Sequence, residues 1–360
     1  MKVNKRLLLA VIVLNLFGLM MIYSSSYIWA EYKFDNPYKF IINQSIFSVV
    51  GFLLMLFVSK INHKIFEKKC NLIFFSCLIL LVLVLIPGIG TVRNGSQSWF
   101  GIGSFGIQPS EFMKLAFLIF VSKYLKNNER NMNSFKNGIF PILLLVLGVF
   151  FLIMLQPDFG TGSIIVMSVM VVLLIGGANF NFFIKMACVG IIGVVGLIVA
   201  APYRIARILS FLDPWKDPLG SGFQIIQSLY AIGPGGVLGF GLGNSRQKHF
   251  YLPEPQTDFI FAIISEEFGF MGILIISLLF LTIIIRGFSI SKNCNDLFSK
   301  YLSFGIIFGF SFQTILNLMV VTGLIPVTGV TLPFISYGGS SLLITLISMG
   351  ILLNISKNIK

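Results

Sequence analysis

The chain has 360 residues, of which 56% are hydrophobic and 11% charged, and its mean hydropathy is +0.93. Ordinary soluble domains run near a quarter charged, so this composition excludes a soluble fold and fits a polytopic membrane protein. The formal net charge of +13 reads as a topology signal and not as a nucleic-acid footprint, because basic residues gather at the ends of apolar stretches.

Apolar runs of the roughly 18–20 residues needed to cross about 30 Å of hydrocarbon recur ten times, near 7–24, 41–58, 72–90, 108–125, 139–156, 162–179, 185–202, 259–286, 301–322 and 337–355. The first run follows Lys2, Lys5 and Arg6, as a secretory signal would. Its apolar core is too long for one and no clear small-residue cleavage site follows, so it is expected to remain as the first helix. With the N-terminus inside, the larger share of the 26 Lys and Arg lies on cytoplasmic segments, and most of the 13 acidic residues lie outside. The expected fold is therefore an all-α polytopic membrane protein, a single domain over 1–360 with ten transmembrane helices and cytoplasmic N- and C-termini. A large extracytoplasmic loop, 203–258, separates helices 7 and 8.

Chemistry-bearing residues gather in the external connections. Between spans three and four, NGSQSWFGIGSFGIQPSEFMK (94–114) carries Trp99, then Gln108, Ser110, Glu111 and Lys114. The i,i+3 spacing of Glu111 and Lys114 suits an ion pair on one helix face. LQPDFGTG (155–162) places Asp158 at a Pro-Gly break between spans five and six.

The 203–258 loop holds two half-length apolar pieces, 204–212 and 222–232, too short to cross and expected at the outer interface. It also supplies Arg204, Arg207, Lys216, Arg246 and Lys248, the dense basic group on the outside. Arg pairs bidentately with phosphate oxygens and Lys acts as a point charge. Such a group suits the diphosphate of a lipid-linked substrate, or contacts with anionic lipid. GPGGVLGFGLG (233–243) does not fit the phosphate-loop pattern GxxxxGK[ST] and follows no strand, so its glycines are read as permitting tight turns and close backbone approach.

The stretch YLPEPQTDFIFAIISEE (251–267) sets Glu254, Asp258, Glu266 and Glu267 at the start of span eight. Thr257 is expected to cap that helix and Asp258 to lie in its first turn at the outer surface. Glu266 and Glu267 fall about 12–14 Å deeper, where a carboxylate is either functional or part of a buried network. PVTGVTLPFISYGGSS (326–341) breaks the final hairpin with Pro and Gly. Cys70, Cys77, Cys188 and Cys294 fall in spans or at cytoplasmic ends, so no disulfide is expected. His63 and His249 stand alone, with no CxxC or HExxH, so no zinc site is expected.

Six motifs in this order, QPSEFMK, LQPDFGTG, FLDPWKDPLGSGFQIIQSLYAIGPGG, GLGNSRQK, YLPEPQTDFIFAIISEE and PVTGVTLPFISYGGSS, resemble the FtsW/RodA/SpoVE (SEDS) family of cell-wall polymerases over nearly the whole chain. YLPEPQTDFIF and SRQK look more like its division and sporulation branch. The resemblance implies a peptidoglycan glycosyltransferase of the cytoplasmic membrane, serving division, sporulation or cell shape, that polymerises lipid II at the outer face. It implies a class B penicillin-binding transpeptidase as partner, with other divisome or elongasome membrane proteins and no nucleic acid. The family's essential aspartate maps onto Asp258, and its following acidic pair onto Glu266 and Glu267. Many members carry a His before the TDF triplet, where this chain has Gln256, which leaves no His there to act as base.

On this reading Asp258 accepts the proton of a sugar hydroxyl and attack inverts the anomeric centre. The outer basic residues meet the leaving diphosphate, and a divalent cation (Mg2+ or Mn2+) could share that charge. Two other readings stay open, a lipid II flippase centred on Glu266 and Glu267 and a non-catalytic scaffold that recruits the transpeptidase.

Overall fold

In hydrocarbon every backbone N–H and C=O needs an internal partner, which leaves an apolar run of this length one choice, the helix. The computed structural model describes residues 4–93, 95–101, 106–199, 205, 211–220, 222–357 and 359. Each of the expected stretches contains a helix among its described residues. They are α1 (Lys5–Phe34), α2 (Lys39–Lys60), a short α3 (Lys64–Lys68), α4 (Cys70–Leu83), α5 (Pro109–Asn128), α6 (Phe140–Met154), α7 (Phe159–Ile175) and α8 (Phe180–Val199), then α9 (Phe223–Ile232) within the large loop, α10 (Ile260–Lys292), α11 (Leu297–Val321) and α12 (Gly339–Ser356). Among the described residues, six segments are long and apolar enough to cross a membrane: α1, α2, α6 with the turn before it, α10, α11 and α12.

Local chemistry sets several helix ends. Asn4 accepts from Leu7 N at 3.2 Å at the start of α1, Asp158 from Thr161 N at 3.0 Å at the start of α7, and Asp296 from Ser299 N at 3.0 Å at the start of α11. Each satisfies an amide that has no partner within its helix. Pro109 opens α5, where its missing N–H is no loss.

The core is built where α5, α7, α10, α11 and α12 meet, while α2 lies along α12. A small residue there lets the last two backbones approach: a Cβ on Gly350 would stand 2.7 Å from Met55 O. Large apolar side chains such as Leu53 on α2 and Ile275 on α10 remain exposed on the outer faces, as a lipid-facing surface requires.

The glycine segment 233–243 explains a break in α10. Gly269 has φ 59° and ψ −158° inside that helix, and the segment fills the break as an added strand of backbone. Phe240 N donates to Glu266 O at 3.0 Å and Gly241 N to Glu267 O at 2.9 Å, while Phe270 N and Met271 N donate back to Gly236 O and Val237 O at 2.9 and 3.0 Å. A Cβ at 269 would lie 2.4 Å from Gly239 N, so both the positive φ and the contact demand glycine.

Three expectations change. Helix α10 begins at Ile260 and has no side-chain cap, so Asp258 precedes its first turn instead of lying in it. Thr257 Oγ1 lies within hydrogen-bond distance of Glu254 O at 2.7 Å and of Asp258 Oδ1 at 2.8 Å, and it makes no cap to the helix. The chain is also not purely helical: Thr91–Arg93 (β1) and Ser96–Trp99 (β2) form an antiparallel hairpin. The Asn94-Gly95 dipeptide between them is a hairpin-turn signal. The 204–212 piece lies, except for Ile205, Phe211 and Leu212, outside the described residues.

Candidate active site

A cavity of about 750 Å³ opens where the ends of α1, α2, α5 and α7 meet the β1–β2 hairpin, the 254–258 segment and the 328–339 connection. Its wall carries four carboxylates, Glu111, Asp158, Glu254 and Asp258, and two ammonium groups, Lys33 and Lys39. Among the expected residues, Trp99 and Gln108 also line it.

Asp258 is half-buried, and the segment that carries it is hydrogen-bonded at three points along its main chain. Asn317, fully buried on α11, donates through Nδ2 to Asp258 O at 2.7 Å and to Val330 O at 2.8 Å. Tyr337 N donates to Gln256 O at 2.8 Å, and Leu252 N to Gln247 O at 2.9 Å. The buried side chains of Leu252 and Phe259 anchor the segment at both ends. The carboxylate is thus presented on a short, pinned turn, as a group that must keep its position during a reaction requires.

A second cluster stands across the cavity. Gln108 Nε2 donates to Asp158 Oδ2 at 3.0 Å, and Ser110 Oγ lies 3.4 Å from the same oxygen. Glu111 and Lys114 pair at 2.7 Å, and Lys114 Nζ also donates to Gln313 Oε1 at 2.9 Å. Enclosure by the protein pushes the Asp158 carboxyl above its ordinary range; the Thr161 amide opposes this, the Glu111 carboxylate adds to it, and Lys114 lowers it.

The basic residues of the large loop are placed elsewhere. Lys248 has no exposed side-chain surface and pairs with Glu267 Oε1 at 2.9 Å, because the 240–248 chain folds back against the break in α10. This corrects its expected role at a diphosphate. Lys216 is exposed and stands 3.4 Å from Asp213. Arg246 lies over the Phe240 ring at 4.9 Å. Neither lines the cavity, and Arg204 and Arg207 lie outside the described residues.

Glu266 and Glu267 form a closed network. Glu266 accepts from Ser245 Oγ at 2.5 Å, Arg246 N at 2.9 Å and Gln247 N at 3.3 Å. Glu267 accepts from Lys248 and, at 2.7 Å, from Ser24 Oγ on α1. The acidic pair ties the loop to α1 and α10 and is absent from the cavity wall.

Lys33 and Lys39 were not among the expected residues. Lys39 Nζ sits 3.1 Å from the Phe34 ring centroid, and the exposed Lys33 places its Nζ 5.2 Å from that of Trp29, so cation–π attraction favours both charges at this wall. The signal that could have found them is a pair of lysines on an outer turn, against the inside bias, each with an aromatic neighbour. Among the described residues no group of three or more His, Cys, Asp and Glu converges to hold a metal ion, so a cage for a divalent cation made by the protein alone does not fit this cavity.

A family model, FTSW_RODA_SPOVE, described as cell cycle protein, matches residues 5–360. Stage V sporulation protein E of Bacillus subtilis (strain 168) is 52% identical over 358 residues, 99% of this chain and 98% of that protein. A probable peptidoglycan glycosyltransferase FtsW of Geobacter sp. (strain M18) is 38% identical over 354 residues, 98% of this chain and 96% of that protein. A solved structure concerning coordination of polymerization and crosslinking by a peptidoglycan synthase complex superposes with a TM-score of 0.81 at 28% identity, covering 99% of this chain and 98% of its own. The rod shape determining protein RodA of Thermus thermophilus superposes with a TM-score of 0.73 at 26% identity, with the same coverage.

Proposed function

The chain belongs to the FtsW/RodA/SpoVE family and is a peptidoglycan glycosyltransferase; from that premise we propose that it polymerises lipid II in the cavity beside Asp258, facing outward from a bundle that crosses the cytoplasmic membrane ten times. The observation that carries the site assignment is one cavity wall bearing both a carboxylate on a pinned segment, Asp258, and two ammonium groups, Lys33 and Lys39. The 203–258 loop contributes Glu254 and Asp258 to that wall, and both termini lie in the cytoplasm.

The reaction joins two lipid-linked disaccharides. The acceptor's GlcNAc 4-hydroxyl gives its proton to the Asp258 carboxylate as its oxygen bonds to the donor's anomeric carbon. The bond from that carbon to the diphosphate oxygen breaks, and the electron pair leaves on the lipid diphosphate. Negative charge grows there in the transition state, where Lys33 and Lys39 offer positive charge. A single displacement inverts the anomeric configuration. Trp99, Gln108 and Glu254 are placed to contact the sugars. Asp158, Ser110, Glu111 and Lys114 hold the opposite wall in shape.

The enclosure of Glu266 and Glu267 in hydrogen bonds outside the cavity favours this reading over lipid II transport, which would need them on the substrate's path. A crosslinking transpeptidase of class B is the expected partner. The test is gel analysis of glycan made from lipid II by the purified chain with that partner. Asp258→Asn should abolish polymer while the protein keeps its folded behaviour in solution, and full activity in that variant would remove the base assignment.

A further inference from the structure

Helix α1 spans 30 residues, about 45 Å at helical rise, against about 30 Å of hydrocarbon. Counted from Leu7, the hydrocarbon ends near residue 26, and Tyr32 stands about 9 Å beyond it. There Trp29, Tyr32 and Phe250 form a closed group of rings, with centroids 6.3 Å apart for Trp29–Tyr32, 6.0 Å for Trp29–Phe250 and 5.2 Å for Tyr32–Phe250. Tyr32 is 75% exposed and Phe250 51%.

Aromatic belts anchor membrane proteins at the hydrocarbon boundary. This group lies above that boundary, among the exposed charges Glu31, Lys33 and Asp35. Phe250 adopts φ 66°, a left-handed conformation that is strained for a bulky side chain and persists where surroundings or function demand it. In that conformation its ring meets those of Trp29 and Tyr32 at interplanar angles of 62° and 73°. Trp29 lines the same cavity as Asp258, so the group continues outward from the cavity mouth.

We propose that Trp29, Tyr32 and Phe250 are a saccharide platform on which the growing glycan strand stacks as it leaves the cavity. This rests on the glycosyltransferase reading. A pyranose ring presents a face of weakly positive C–H groups, and the face of an aromatic ring is negative. Such stacking grips successive sugars alike, which suits a repeating polymer outside the membrane.

The experiment compares wild type, Tyr32→Ala and Tyr32→Phe, each full length with its transpeptidase partner, and reads strand length at matched lipid II consumption. Loss of a ring contact should shorten strands about fivefold in Tyr32→Ala, with Tyr32→Phe restoring length. An unchanged length distribution, or a slower reaction with unchanged lengths as expected for a membrane anchor, overturns the platform. Binding of a lipid-free glycan oligomer is read in parallel without any polymerisation. Binding by wild type that Tyr32→Ala loses supports the platform, and absent or equal binding overturns it whether or not lipid II is polymerised.

Discussion

Asn317 Nδ2 donates at 2.7 Å to the main-chain oxygen of Asp258 and at 2.8 Å to that of Val330, so one buried amide on α11 joins two adjacent segments that both line the cavity. Its hydrogen bonds go to backbone, so it positions the proposed base without touching the reacting atoms. Asn317→Leu should leave two buried carbonyls unpaired, at about 1–3 kcal/mol each. A misplacement near 1 Å then lowers kcat about 100-fold. Glycan synthesis and thermal unfolding, measured together, check this: activity should fall in protein that remains folded at the assay temperature, and an unchanged kcat would deny Asn317 its positioning role.

Lys39 and Lys216 make a paired test of which cations meet the diphosphate. Lys39 lines the cavity and is fixed over Phe34, whereas the Lys216 side chain is 83% exposed and away from the wall. Lys39→Gln should lower kcat/KM for lipid II by about 100-fold, the scale of one lost transition-state donor. Lys216→Gln should change it by less than about twofold, as exposed ion pairs contribute little. Equal effects would return the diphosphate to the large loop.

The helices were legible because the bilayer imposes one length on each apolar run, and every expected stretch holds a helix. The Glu111–Lys114 pair was legible because helical spacing alone brings such residues together. Lys248 was not. A lysine in a polar loop reads the same whether solvated or buried, and its burial depends on the loop entering the break at Gly269. Lys33 and Lys39 were missed for a related reason: their approach to Asp258, more than 200 positions along, follows from tertiary packing that local pattern does not encode. The start of α10 was misplaced because the helix begins at Ile260 after Phe259, with no side-chain cap to mark it.

The Lys248–Glu267 pair is fully enclosed, so removing either partner strands the other charge. Lys248→Met should destabilise the protein by about 3–5 kcal/mol. Lys248→Met with Glu267→Leu should recover part of that loss, though Ser24 Oγ and Ser245 N also lose an acceptor. Thermal unfolding in one detergent orders the three proteins, and a double variant less stable than the single one would show that the network depends on Glu267 more than on the pair.

Asp158 carries a pH signature outside the spans. Enclosure raises its carboxyl above the ordinary 3.8, so the folded state holds a proton that the unfolded chain has already released. The unfolded state binds fewer protons in that interval, and stability therefore falls as pH rises from the ordinary value through the raised folded one, then levels off. Asp158→Asn retains a side-chain oxygen able to accept from Thr161 N, as Asn caps helices about as well as Asp, but it has no proton to release. Thermal midpoints measured from pH 3.5 upward should therefore decline less steeply in Asp158→Asn than in the parent chain, and the two curves should diverge in the variant's favour as pH approaches neutrality. Parallel curves would mean that the Asp158 carboxylate is ionised as readily in the folded protein as in water, and that Gln108 and Thr161 stabilise it more than enclosure opposes it.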